Sequence, residues 1–141
     1  MITVAFYKGR DHWLDRAIQA ATGGPYSHVE LIAGVAGGGD TVRCLSSSWR
    51  DGGVRAKVIT LHPDRWDFVT IDTPANPAVA FIEKQIGRRY DILGALACPF
   101  LPSRLWGPRR WFCSELVAAS LGLRRAHRYD PTDLYRVLTL R

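Results

Sequence analysis

At 141 residues with 47% apolar content, the chain is sized for one compact domain around a single core and is too short for two. Charged residues at 23%, with no long polar tract, exclude a chain that is disordered throughout. The net charge of +6 lies wholly in residues 73–141, which carry 11 basic and 5 acidic side chains against 8 and 8 in residues 1–72; such a charge addresses anions and specifies no chemistry.

In chain order, Ile2 to Tyr7 reads as an opening strand. Asp11 is placed to cap a helix over about His12 to Ala21, which Gly23-Gly24-Pro25 ends. Tyr26 to Ala33 alternates as a strand, with Val29, Leu31 and Ala33 on one face and His28, Glu30 and Ile32 on the other. Gly37-Gly38-Gly39-Asp40 supplies a hairpin turn into a strand near Thr41 to Ser46, and Asp51-Gly52-Gly53 turns into another over Val54 to Leu61. An antiparallel meander is expected. Asp67 to Asp72 is a further strand, followed by a helix around Pro77 to Ile86 that Gly87 closes. Gly94 to Trp111, rich in Pro, Gly, Arg and Trp, suits an ordered loop packed over a site, with Trp106 and Trp111 making contact. A helix from about Phe112 to Leu121, stopped by Gly122, and a last helix capped by Asp130-Pro131 and ending near Leu138 complete an α+β domain.

Cysteines 44, 98 and 113 cannot all pair within the chain, and no Cys-x-x-Cys or His-x-x-x-His spacing accompanies them, so neither a disulfide framework nor a zinc site is expected. The N-terminal residues lack a basic leader followed by a long apolar run, and no stretch approaches the roughly 18 apolar residues of a membrane span. Synthesis as a soluble cytoplasmic protein is the expectation, with delivery by another route if the protein acts at a cell wall. Arg88, Arg89, Arg104, Arg109, Arg110, Arg124, Arg125 and Arg128 either form a face for anionic lipid, wall polymer or an acidic partner, or are a solvated surface. Nucleic acid is not the expected partner.

The chemistry concentrates at Trp111-Phe112-Cys113-Ser114-Glu115-Leu116-Val117, where a cysteine falls in the first turn of an expected helix. Unpaired amide N–H groups and the positive end of the dipole favour a thiolate there. Glu115, two positions on, is rotated by roughly 200° and should point away from the thiol and complement the dipole. The plainer alternative is a small buried cysteine on an apolar helix. A second motif, Tyr26-Ser27-His28-Val29-Glu30-Leu31, projects an imidazole and a carboxylate from one face of a strand. A thiol nucleophile needs a base within hydrogen-bond reach, and the base needs an acceptor to fix its tautomer. Cys113, His28 and Glu30 fill these roles, with Ser46 or Ser48 on the adjoining strand as substitutes for Glu30, which is otherwise a solvated carboxylate.

These segments resemble the NlpC-type papain-like cysteine peptidases, and within them the permuted amidases of the YaeF/YiiX kind. Gly87-Arg88-Arg89-Tyr90-Asp91 and Trp111-Phe112-Cys113-Ser114-Glu115-Leu116-Val117 resemble the family's cysteine block. His28-Val29-Glu30-Leu31-Ile32 resembles its histidine strand, with Glu30 in place of a usual glycine, and Cys44-Leu45-Ser46-Ser47-Ser48 through Gly52-Gly53-Val54 resembles its next strand and turn. Here the histidine precedes the cysteine, the order of the permuted branch. The resemblance covers most of residues 23–134 and implies an antiparallel sheet packed on helices. It also implies that Tyr90 assists the backbone N–H of Cys113 in an oxyanion hole, unless Tyr90 is core.

Of the five tryptophans, Trp49 and Trp111 adjoin these motifs and are expected to line the site with Ser27, Ser46, Ser48 and Tyr90. The expected activity is hydrolysis of an amide through an acyl-enzyme on Cys113, with His28 as general base and no metal or organic cofactor. A peptide or peptidoglycan stem peptide, in a bacterial or phage setting, is the substrate the resemblance suggests. A lipid-directed acyltransferase or lipase on the same scaffold, and a non-catalytic assembly protein using its arginine face, are the rival readings.

Overall fold

The computed structural model describes residues 1–36, 38–98, 100 and 110–140. Its α+β architecture is a curled sheet of seven strands: β1 (Ile2–Tyr7), β2 (His28–Val35), β3 (Thr41–Ser48), β4 (Gly53–Thr60), β5 (Trp66–Ile71), β6 (Arg89–Tyr90) and β7 (Arg110–Trp111). They run in the order β5-β1-β2-β3-β4-β6-β7, antiparallel except for the parallel β6–β7 pair. Five helices among the described residues flank it: α1 (Trp13–Thr22), α2 (Ala75–Glu83), α3 (Ile92–Ala97), α4 (Cys113–Ser120) and α5 (Pro131–Thr139).

Strand alternation divides the sheet into two unlike faces. Val4 and Phe6 of β1, Val29 and Leu31 of β2, and Leu45 of β3 join Ile82 of α2, Leu116 and Val117 of α4, and Leu134 and Leu138 of α5 in the main core. The opposite face carries the smaller cluster of Ala5, Tyr7, Cys44, Leu61 and Trp66, together with His28 and Glu30. The assignment of Val29, Leu31 and Ala33 to one face of their strand and of His28, Glu30 and Ile32 to the other matches these two clusters.

Several boundaries differ from the sequence expectation, each for a local reason. Asp11 does not cap α1. His12 does, its Nδ1 accepting from Leu14 N at 3.2 Å while Asp15 Oδ2 accepts from His12 N at 3.1 Å, a reciprocal capping box. Asp11 is drawn off by the Tyr7 hydroxyl at 2.8 Å and the Arg65 guanidinium at 2.6 Å. The expected loop from Gly94 does not begin there: residues 94–97 complete α3 (Ile92–Ala97), which Asp91 caps by accepting from Gly94 N at 2.9 Å. The two-residue strands β6 and β7 are too short to show a period. Gly37, Arg104, Trp106 and Arg109 lie outside the described residues.

Two joints set where the site elements meet. At Gly53, whose φ is +156°, a Cβ would stand 2.0 Å from the Arg88 carbonyl oxygen, so β4 can approach the β6 segment only through glycine. Helix α4 ends in a Schellman motif: Leu123 N donates to Ala118 O and Gly122 N to Ala119 O, with Gly122 at φ +73° and Leu123 packed into the main core. Among the described residues no helix is long and apolar enough to cross a membrane.

Candidate active site

His28 opens β2, paired with Tyr7 of β1, and its side chain is 16% exposed. Its Nε2 lies 2.7 Å from Glu30 Oε1, a same-face neighbour two residues along the strand, and this leaves Nδ1 for other partners. A side-chain hydrogen bond with Cys113 also reaches the ring. Burial works against the charged imidazole, but the Glu30 charge and the hydrogen bonds from Cys113 and Glu30 outweigh it and raise the ring to about 9.

Glu30 is fully buried rather than solvated, and it is charged because it is surrounded. Burial pushes its carboxyl up. Against that, Arg55 Nη1 donates to Oε2 at 2.8 Å, Arg55 Nη2 donates to Oε1 at 2.5 Å, and His28 adds its own contact, so the group is held below the usual carboxylate range. The register explains the fit. Leu31 stands opposite Leu45, which by continuation sets Glu30 opposite Ser46, and Ser46 is opposite Arg55. Glu30, Ser46 and Arg55 therefore share one row, and the small serine leaves room for the guanidinium to span it. Ser46 Oγ itself donates to Val29 O at 2.5 Å, so its hydroxyl is spent on the backbone and does not orient His28.

Cys113 begins α4, which Phe112 caps with extended backbone, and the residue is 1% exposed, within the main core. The segment leading to it is fixed by Ser47 Oγ, which donates to Trp111 O at 2.6 Å, and by Asp91 N, which donates to the same carbonyl at 3.1 Å. Glu115, in the first turn, accepts from the Phe112 backbone. Burial lifts its carboxyl to about 7, partly offset by that hydrogen bond, and nearby Asp91 raises it further.

Beside His28 opens a cavity of about 290 Å³. Its wall includes Tyr7, His28, Glu30, Ser48, Trp49 and Trp66, and alternating ion pairs: Arg50 on Asp15 at 3.0 Å, Arg65 on Asp11 at 2.6 Å, and Lys57 on Asp51 at 3.2 Å. Trp49 packs on His12 with ring centroids 4.1 Å apart, and Arg50 lies over it at 5.6 Å.

The other expected site residues divide accordingly. Ser27 Oγ donates to buried Asp15 at 3.1 Å and fixes the turn before His28. Tyr90 is buried with Leu14, Ile18 and Phe112. Burial pushes its phenol well up, and the nearby Cys113 sulfur adds to this. Trp111 is not in the cavity wall: its Nε1 donates to Gln85 Oε1 at 3.2 Å and its ring stands edge-on to Phe81, toward α2. Sequence reasoning missed Asp15, Ser47 and Arg55. Arg55 alone left a trace, since Gly53, Arg55 and Lys57 share one face of a strand, but only pairing register shows what that face meets. The exposed arginines fall in separate places, with Arg89 beside Arg110 across β6–β7 and Arg124, Arg125 and Arg128 after α4.

All three cysteines are free. Among the described residues no group of three or more His, Cys, Asp and Glu is arranged to hold a metal ion. No protein-family model matches the chain, and no curated protein matches it.

Proposed function

We propose that the protein is a cysteine hydrolase acting on an amide, with Cys113 as nucleophile, His28 as general base and Glu30 as the acceptor that orients the imidazole. The observation that carries this reading is the chain of contacts Glu30–His28–Cys113, joining a strand to the first turn of a helix 85 residues away. A buried carboxylate on one ring nitrogen and a thiol at the ring is the arrangement a thiol nucleophile requires. Beyond what a structural histidine requires, the imidazole has a thiol partner at a helix start and itself lines an open cavity, whose wall does not include Cys113.

In this mechanism the proton shared by the dyad rests on His28, whose ring is raised to about 9, as the Cys113 sulfur attacks the carbonyl carbon. The tetrahedral oxyanion is met by N–H groups of the first turn of α4, with the Tyr90 hydroxyl nearby by analogy with the NlpC-type family. Imidazolium then protonates the leaving amine, giving a thioester on Cys113. Water deprotonated by His28 attacks the thioester and releases the acid and the thiol. The thiol is nearly closed off, so a carbonyl reaches it only once the side chains above it shift. The antiparallel strands with α2, α4 and α5 packed on one face, and the order histidine before cysteine, support the permuted NlpC-type reading and its peptide or wall-peptide substrates.

Intact mass after incubation with a panel of electrophilic amides and esters tests the reading. The expected result is one acyl adduct on wild type, none on Cys113→Ala, and greatly slowed formation on His28→Ala. Equal labelling of wild type and Cys113→Ala would end the hydrolase account.

A further inference from the structure

His28 has its acceptor in Glu30, and that acceptor is itself gripped from the far side. Arg55 reaches across Ser46 from β4 and places both terminal nitrogens on Glu30, one on each oxygen, while its Nε donates to Asp51 Oδ2 at 2.8 Å. Every nitrogen of the guanidinium is thus spent, and its side chain is only 15% exposed. Two cations, His28 and Arg55, share Glu30 Oε1.

We propose that Arg55 is a positioning residue for the dyad: its two-pronged hold keeps Glu30 ionised and turned toward His28. A buried carboxylate whose one cationic neighbour is a titrating imidazole would take up a proton readily, and as a neutral acid it would free the ring to turn. A permanently charged guanidinium removes that escape, and its planar fork fixes the carboxylate plane, which a lysine's single ammonium does not. Asp51 anchors the other end of Arg55 in the turn between Trp49 and Gly53, so the cavity wall and the base are held by one side chain. The titratable and charged groups facing Glu30 are Tyr7 from β1, His28 from β2, Cys44 from β3, and Arg55 with Lys57 from β4. Asp51 stands behind Arg55, and Cys113 beyond His28.

This inference takes the hydrolase reading as its frame, yet it is testable without turnover. The chain holds three glutamates, Glu30, Glu83 and Glu115, so carbon-13 carboxyl signals of labelled protein are assignable with Glu30→Gln as the reference. In wild type the Glu30 signal should titrate below the ordinary glutamate midpoint. In Arg55→Met that midpoint should rise by about one pH unit or more, with Arg55→Lys between the two. The acid limb of Cys113 alkylation should move up in step. A Glu30 midpoint unchanged in folded Arg55→Met overturns the proposal. Should that variant not fold, a wild-type midpoint at or above the ordinary value overturns it equally. Failure of every amide and ester probe on wild type would remove the hydrolase reading and leave the clamp to be decided by the carboxyl titration.

Discussion

Ser47 of β3 donates a 2.6 Å hydrogen bond to the carbonyl of Trp111, so the strand beside the histidine strand also holds the residue two positions before the nucleophile. Sheet register thereby fixes the thiol relative to the imidazole. Ser47→Ala removes a buried donor and leaves the carbonyl its second bond, from Asp91 N. It should cost roughly 1–2 kcal/mol in urea unfolding and slow Cys113 alkylation. A variant as stable and as reactive as wild type would show that the pin does neither.

The three thiols should differ in reactivity. Burial, aided by the Glu30 charge, pushes Cys44 up to about 12, and burial with Asp130 does the same to Cys98. Iodoacetamide near neutral pH should therefore modify Cys113 before either. Peptide mapping that finds Cys44 or Cys98 modified first contradicts this order.

His28 links folding to pH. Its folded value, raised from 6.5 to about 9, means the native state holds the proton more tightly, so this contribution is complete below pH 6.5 and fades as pH rises through about 9. Urea midpoints of wild type minus His28→Gln should shrink across that window. A difference that stays level from pH 6 to pH 9.5 refutes the assignment.

Glu115 gives the same sign at lower pH. Burial raises its carboxyl from 4.5 to about 7, so its ionisation costs stability as pH climbs between those values. Glu115→Gln retains an acceptor for Phe112 N and should be at least as stable as wild type at pH 8, with a flatter profile between pH 4.5 and 7. Greater loss of stability at pH 8 than at pH 5 would reverse the expectation.

Gly53→Ala should be severe. The added methyl would meet the Arg88 carbonyl oxygen, which is backbone and cannot rotate away. A loss on the order of 2–3 kcal/mol, with the β4–β6 pairing disturbed, is expected from unfolding curves and amide exchange. Tolerance within a few tenths would mean that the two segments are free to separate.

Much of this was legible from local pattern. Alternation along residues 28–33 assigned faces, Gly122 stopped α4, and Asp130-Pro131 opened α5, because each depends on neighbours a few residues apart. The same pattern placed His28 and Glu30 on one side of a strand. It gave α1 the wrong cap, since Asp11 and His12 are both able acceptors and the choice fell to Tyr7 and Arg65, the latter 54 residues away. It missed α3, whose six residues are too few to show a period.

By itself the sequence determined which residues have the chemistry for a thiol site and which faces of their own elements they occupy. Only the tertiary structure decided that Glu30 is buried and ionised, that Arg55 spans Ser46 to hold it, that Ser47 fixes the approach to Cys113, and that Trp111 turns to α2. The reason is physical. Periodicity is a property of adjacent residues, whereas strand register and the pairing of buried charges arise between segments that meet only when the chain has folded.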